Sequence, residues 1–395
     1  MKDILKIGEF EILPGEQRKI DLPVAKLYTD ANVSLPVHII RAKKPGPTIF
    51  ISAAVHGDEL NGIEIIRRLI SEKKFKITRG TVIAVPMVNV YGVVNQSRYM
   101  PDRRDLNRCF PGSAKGSLAG RVAHIFLNEI VKHCDYGIDL HTGAIHRSNL
   151  PQIRADLSCE ETKELALVFG VPVVLNSNII DGSLREAAVK HKTKVLLYEA
   201  GEALRFDEFS IRAGMKGITN VLKHLGMRKS STSRKKVVEP FVANSSQWLR
   251  ANASGIVNHR VKLGDQIKKG DVLAEIGSPY GDILDVVKAS RSGILIGQQN
   301  IPLVQEGEAM FHVAYFEEDD KAIIGRLETI SLPELAISDI QVRVDTGAKT
   351  SSLHVDNIVK FKKNGKIMVK FDLHPDVYNV DEIASCEAPI HDIRR

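Results

Sequence analysis

Long apolar runs, clustered cysteines and aromatic residues are all scarce in this chain of 395 residues. No uninterrupted apolar run approaches the ~18 residues of a membrane-spanning helix, so no membrane span is expected. The four cysteines, Cys109, Cys134, Cys159 and Cys386, are scattered and form no C-x-x-C pair. That argues against a disulfide framework and against a cysteine-built zinc site, and it fits a reducing compartment. The opening "MKDILKIGEF" has neither the apolar core nor the cleavage site of a secretory leader, so the cytoplasm is the expected location. Zinc-finger and RNA-recognition signatures are also missing, as is any interleaving of aromatic with basic residues. Part of the net charge of +7 lies in "MRKSSTSRKK" (227–236), which reads as a solvated, Ser-rich linker. Nucleic acid is not an expected partner.

What is present is an ordinary globular composition, 43% apolar and 26% charged, over a length that accommodates about two to three domains. Residues 1–45 read as short strands and turns, closed by "KKPGPT" (43–48). Beyond them, strand and helix patterns alternate. "TIFISAAV" (48–55) and "TVIAVPMV" (81–88) read as buried strands. Between them, residues 60–72 carry Ile63, Ile66, Leu69 and Ile70 at helical spacing. A polar loop over 92–116 precedes a helical pattern over 117–134. "YGIDLH" (136–141), "VPVVL" (171–175) and "KVLLYEA" (194–200) are further strands with helical stretches between them. This alternation implies a parallel or mixed sheet with helices on both faces, where ligands collect at the carboxyl ends of strands.

Within this region "HGDE" (56–59) sits where a strand turns into a helix. Glu59 in that position could be a first-turn carboxylate favoured by the helix dipole. His56 and Glu59, three apart, can also aim at one point, and His141 ends another apolar strand in "GIDLHTGA". One carboxylate and two imidazoles make a three-ligand zinc site with an open position for water, as hydrolytic zinc requires. Asp139, two residues before His141, can project from the same strand face and orient a ligand. Hydrolysis also needs a carboxylate that moves protons. Glu199 follows a strongly apolar strand, where an unpaired carboxylate is costly. It is the candidate base, with Glu202 in reserve and a helix cap or ion pair as the alternative role for Glu199. The loop "NQSRYMPDRRDLNRCFPG" (95–112) supplies Arg98, Arg103, Arg104, Asn107 and Arg108, residue types that suit an anionic substrate. For Arg103 and Arg104 a solvated loop is the simpler reading.

Four motifs in order, "HGDE", "DLNRCFPG", "DLHTGA" and "LLYEAGE", resemble the succinylglutamate desuccinylase/aspartoacylase family of zinc amidohydrolases, which has the metallocarboxypeptidase fold. The resemblance spans about residues 8–315. It implies one Zn2+ on His56, Glu59 and His141, a substrate carboxylate gripped by Asn107 and Arg108, and a scissile carbonyl polarised by Arg98. Glu199 becomes general base and then acid, and Arg185 in "DGSLREAA" a further substrate contact.

After the linker the texture changes to short strands and many glycines. "ANASGIV" (251–257) echoes "ASRSGIL" (289–295), and "KKGDVLAEI" (268–276) echoes "QEGEAMFHV" (305–313), at offsets of 38 and 37 residues. A compact β sandwich with internal twofold symmetry is implied. It resembles the barrel-sandwich domain of the same family, related to lipoyl and biotinyl carriers. A carrier's hairpin tip needs a lysine, and "IGSPYGDILDVV" (276–287) has none; a role in narrowing the zinc cleft is expected instead. "GRLETISLPEL" and "VDTGAKTSSLHV" resemble the retropepsin-like family called ATP-dependent zinc protease. There Asp345 would supply one carboxylate of a pair, with a structural or docking role as the default.

The expected organisation is therefore an α/β zinc-hydrolase domain over 1–226 with a β lead-in over 1–45, and a basic linker over 227–239. An all-β barrel-sandwich domain over 240–316 follows, then a partial retropepsin-like β segment over 321–395. The expected activity is zinc-dependent cleavage of the C–N bond in an N-acyl amino acid or similar small amide. Two competitors stand beside it, the trimming of an acidic peptide tail and a non-enzymatic scaffold. The scaffold predicts His56 and His141 pointing apart. Homo-oligomerisation is left open.

Overall fold

The computed structural model describes residues 4–72, 75–229, 239–315, 327–332, 337–343, 355–373 and 384–390. It divides into two units, 1–317 and 318–395.

The first unit is built on one 13-stranded mixed sheet. Its parallel centre holds Lys194–Glu202, Tyr136–Gly143, Lys44–Ala53 and Arg79–Val85 side by side. Antiparallel strands Asn32–Arg41 and Gln17–Lys26 extend one edge. Alternation of side chains sorts each strand between two cores. On one face Ile51, Ala53, Leu140, Leu196 and Tyr198 pack under the helices Asn61–Ser71, Glu160–Phe169 and Glu208–His224. On the other, Phe50, Ile83, Val85 and Val195 meet the helix Leu118–Glu129 and the short helix Leu184–Lys190. Phe126 contributes an edge-on ring contact to Phe50 at 5.9 Å. This is the mixed α/β architecture the pattern implies.

The helix expected over 60–72 runs from Asn61 to Ser71 and buries Ile65, Ile66 and Leu69, with Ile63 and Ile70 partly covered at its flanks. The loop over 92–116 is more ordered than its composition indicates. A short helix, Val90–Val94, leads into it, and a 3-10 turn, Leu106–Arg108, is capped by Asp105 accepting from Asn107 N.

Sequence reading passes over the strand Arg147–Ala155 altogether. It lies antiparallel to Lys194–Glu202 and has Gly293–Gln299 on its other side. Pro151 falls in the register shift between the pairs Glu199↔Gln152 and Gly201↔Asn149. A residue without an N–H is tolerated at such a shift, where the ladder is already interrupted. Through this strand the central sheet runs on into Gly293–Gln299, Ala309–Tyr315 and Ser245–Arg250.

Those three strands form one layer of a β sandwich. The other layer is a four-stranded sheet of Ile283–Lys288, Val272–Gly277, Gly255–His259 and Leu303–Val304. Leu273, Ile276, Leu295, Phe311 and Val313 fill its core. The internal repeat is realised in strands: Gly255–His259 corresponds to Gly293–Gln299, and Val272–Gly277 to Ala309–Tyr315. Among the described residues no helix is long and apolar enough to cross a membrane.

The second unit contains the hairpin Leu327–Leu332/Ile337–Arg343 and an antiparallel sheet of Asp356–Lys363, Lys366–Leu373 and Ala384–Pro389. Phe371 and Cys386 are buried on the latter. Asp345 lies outside the described residues.

Candidate metal and hydrolase site

One face of the central sheet turns polar near the carboxyl ends of its parallel strands. Register places Ser52 beside Asp139, and His141 beside Glu199, so these side chains share that face. His56 and Glu59 enter from the turn that follows Lys44–Ala53. Glu59 lies before the helix Asn61–Ser71, whose N-cap position, Leu60, makes no side-chain cap bond. The helix-start reading of Glu59 is therefore set aside in favour of what its oxygens contact. Oε1 is 2.7 Å from His56 Nδ1; Oε2 is 2.8 Å from His141 Nδ1 and accepts Thr142 N at 3.2 Å. The two Nδ1 atoms are themselves 3.3 Å apart. His56 and His141 thus converge, which is not the arrangement a vestigial scaffold would need.

Each imidazole is anchored through its far nitrogen. His56 Nε2 donates to Asp105 Oδ1 at 3.1 Å, and His141 Nε2 donates to Asp139 Oδ2 at 2.6 Å. Ser52 Oγ in turn donates to Asp139 Oδ1 at 2.7 Å. With Nε2 of each ring turned to a carboxylate, Nδ1 is the nitrogen that each ring presents to Glu59. Two imidazole nitrogens and a carboxylate then face one another in a buried space, their ligand atoms all within 4.8 Å. A buried carboxylate between two imidazoles needs positive charge beside it, whether as protons on the rings or as a metal ion. The donor set, two imidazole nitrogens and one carboxylate, is that of an open zinc site.

The electrostatics carry the same demand. Burial disfavours the charged forms, yet the neighbouring charges prevail. Glu59 is held well below the usual carboxylate range by His56 and His141. His141 is raised well above an ordinary histidine by Asp139 and Glu59, and His56 is raised by Glu59 and Asp105. Asp105 is lowered against its own burial by His56 and Arg98. The cluster attracts positive charge whichever group is considered.

Arg98 reaches this cluster: its NH2 donates to Asp105 Oδ2 at 3.0 Å and its NH1 to Glu59 Oε1 at 3.4 Å. Asn107 is buried, and its Oδ1 accepts from Leu184 N at 2.9 Å, tying the 3-10 turn to the start of the helix Leu184–Lys190. Arg108 donates through NH1 to the Asn107 carbonyl at 2.7 Å. Arg185 is 7% exposed, and it donates to Ser177 Oγ at 3.1 Å and to the Asn178 carbonyl at 2.9 Å. It also lines a cavity of about 240 Å3 with Ile179, Val189 and Val195. Lys194, Cys159 and Thr162 line it too, so the cavity lies at the amino end of the strand that carries Glu199. Burial and nearby Arg154 both work against the charge on Arg185.

Glu199 sits within its strand rather than after it. Its Oε2 accepts Asn149 Nδ2 at 2.7 Å and pairs with Arg154 NH2 at 3.1 Å. The ion pair posed as the alternative to a base is therefore present, but it engages one oxygen. Glu202 is committed elsewhere, accepting His146 N at 3.1 Å and Asn300 Nδ2 at 2.7 Å. Arg103 and Arg104 are exposed. Asp105, Ser52, Asn149 and Arg154 were not singled out in the sequence. Asp105 was visible only as the residue two before Asn107, and the other three depend on strand register.

Residues 45–225 match the succinylglutamate desuccinylase/aspartoacylase catalytic domain. This part of the chain is similar to that family. The family places it among deacylating amide-bond hydrolases. The N-alpha-acetyl-L-2,4-diaminobutyric acid deacetylase of Halomonas elongata is 26% identical over 294 residues, covering 71% of this chain and 86% of the relative. In fold, the chain is similar to the product-bound ectoine utilization protein EutE (DoeB) from Ruegeria pomeroyi. That match has a TM-score of 0.67 at 23% identity, over 76% of this chain and 95% of that one. Residues 323–395 match the retropepsin-like aspartic endopeptidase RimB family. A probable alpha-L-glutamate ligase of Desulfotalea psychrophila is 45% identical over 74 residues, but these are 19% of this chain and 16% of the ligase.

Proposed function

We propose that this protein is a zinc-dependent hydrolase of the amide bond in an N-acyl amino acid or similar small, carboxylate-bearing amide. The observation that carries the proposal is the buried, converging set of ligand atoms on His56, Glu59 and His141, with Glu199 one strand away on the same face. One ion would be held by Nδ1 of His56, Nδ1 of His141 and Glu59; when bound it supplies a Lewis acid that acidifies water and polarises a carbonyl. Glu199 takes a proton as water adds to the acyl carbon and returns it to the departing amine, so one water is consumed and acid and amine separate. Arg98 stabilises the negative charge that develops on the carbonyl oxygen. Asn107, with its Oδ1 fixed by Leu184 N, joins Arg108 in holding a carboxylate. Arg185, buried without a carboxylate partner among the described residues, is a further candidate contact for an anionic group of the substrate.

The test is elemental analysis of the purified protein together with amine release from N-acetyl-L-aspartate, N-succinyl-L-glutamate and N-alpha-acetyl-L-2,4-diaminobutyrate. About one zinc per chain and release from at least one amide are expected. A His56→Ala protein with full metal content and full activity would sink the proposal.

The similarity of residues 323–395 to part of glutamate ligases favours a second reading, cleavage of an acidic peptide tail. Adding α-glutamyl peptides to the panel separates the two: release of glutamate from these alone supports the peptidase.

A further inference from the structure

Glu199 is held from the side of the β sandwich. Both groups on its Oε2, Asn149 Nδ2 at 2.7 Å and Arg154 NH2 at 3.1 Å, belong to the strand Arg147–Ala155. Among the described residues no hydrogen bond reaches Oε1. The donors come from opposite sides of the register shift at Pro151, which brings both onto the face of Glu199 despite their odd spacing.

The sandwich fixes the other side of this strand. Asn149 is the register partner of Gly297, and a Cβ on Gly297 would lie 3.0 Å from Asn149 Oδ1 and 2.9 Å from His312 Cβ. The amide oxygen of Asn149 is thereby seated against bare backbone while its nitrogen reaches Glu199. Gln152 Nε2 donates to the Ile296 carbonyl at 3.3 Å, and Asn300 Nδ2 donates to Ser148 Oγ at 2.6 Å. Two side-chain hydrogen bonds, with the packing of Asn149 on Gly297, thus hold one strand edge against the strand Gly293–Gln299 and the loop after it.

We propose that Asn149 and Arg154 are positioning residues for Glu199: together they occupy one carboxylate oxygen and leave the other to carry the proton. Gly297 sets their geometry by admitting Asn149. The β sandwich is then a working part of the hydrolase, because its strand determines where the base points. This rests on the reading of Glu199 as the base.

The experiment compares Arg154→Ala, Arg154→Lys, Asn149→Ala and Gly297→Ala in the zinc-loaded full chain, using the panel amide that the wild type hydrolyses fastest. Misplacing a catalytic group by about 1 Å costs on the order of 100-fold in rate. A fall in kcat of that size is expected for Arg154→Ala, with KM within about threefold, zinc content unchanged, and partial recovery in Arg154→Lys or on adding guanidinium. An unchanged kcat in Arg154→Ala, or a loss that follows zinc content, overturns the proposal. A crystal structure of Arg154→Ala decides independently of turnover. A displaced Glu199 carboxylate supports the clamp, and an unmoved one overturns it. If the wild type cleaves nothing in the panel, the hydrolase reading fails while this structural readout still stands.

Discussion

Asp105 Oδ1 lies 3.1 Å from His56 Nε2, while its other oxygen takes Arg98 NH2 at 3.0 Å. One carboxylate therefore fixes both a candidate ligand and a candidate oxyanion donor. Asp105 Oδ1 also accepts Asn107 N at 2.9 Å, so Asp105→Asn keeps an acceptor for the turn while losing the charge. Removal of such an outer partner lowers metal affinity by about 10–100-fold. Zinc competition against a calibrated chelator should show that drop, with the circular-dichroism spectrum retained. An unaltered affinity would mean that Asp105 serves the loop alone.

Gly57 stands between His56 and Glu59's neighbour Asp58, where its sequence context implies a sharp turn. The structure gives a different reason for the glycine. A Cβ at Gly57 would fall 2.0 Å from the Gly92 carbonyl carbon and 2.3 Å from its Cα, with only backbone in the way. Its φ is not among the positive ones, so close approach rather than left-handed backbone excludes a side chain. Gly57→Ala must push the ligand turn away from the segment leading to Arg98. A stability loss of about 1–3 kcal/mol or more is expected from urea unfolding, together with weakened zinc binding. A variant as stable as wild type would show that the two segments can separate without cost.

The parts of the site legible in sequence were those attached to strong local patterns. His56, Glu59, His141 and Glu199 each sit at or near the end of an apolar strand, where a charged residue stands out. Asn149 and Arg154 sit in "RSNLPQIRA", whose polar residues face the site and whose Pro151 interrupts the pattern. The register shift at Pro151 sets its two polar donors five apart, out of the two-residue alternation by which strands are read. The sandwich was legible from its repeat, but the merging of its strands with the catalytic sheet was not. That continuity depends on which edge each strand joins, and edge pairing leaves no periodic trace.

Metal removal should be felt by the fold as well as by catalysis. His56, Glu59 and His141 are buried with converging ligand atoms, and an unfolded chain offers no such preformed site. Zinc present at about 1,000 times its dissociation constant would stabilise the folded state by about 4 kcal/mol. Dialysis against a chelator should therefore lower Tm by several degrees, and stoichiometric zinc should restore it. Equal Tm values with and without metal in wild type, alongside a measured zinc content near one, would contradict this.

His312 allows a pH test away from the metal. It is 5% exposed, stacks on Trp248 at 4.7 Å and takes part through Nε2 in a 2.9 Å hydrogen bond with Ser246 Oγ. Its Nδ1 is buried without a hydrogen-bond partner. Burial, reinforced by the charge of Arg154, pushes its pKa from 6.5 down to about 3. The folded protein therefore leaves His312 neutral where the unfolded chain protonates it. Between pH 6.5 and about 3 the unfolded state binds one more proton at this residue, so stability falls as pH falls. The full contribution is present above pH 6.5 and is lost progressively towards pH 3, at up to about 1.4 kcal/mol per pH unit. His312→Phe keeps an aromatic ring against Trp248 and removes the titration, so its unfolding free energy should vary less steeply with pH in this window. Denaturant melts of both proteins at pH 4, 5, 6 and 7 (about one-unit steps) give the comparison. Parallel slopes would show that His312 accepts its proton in the fold as readily as outside it.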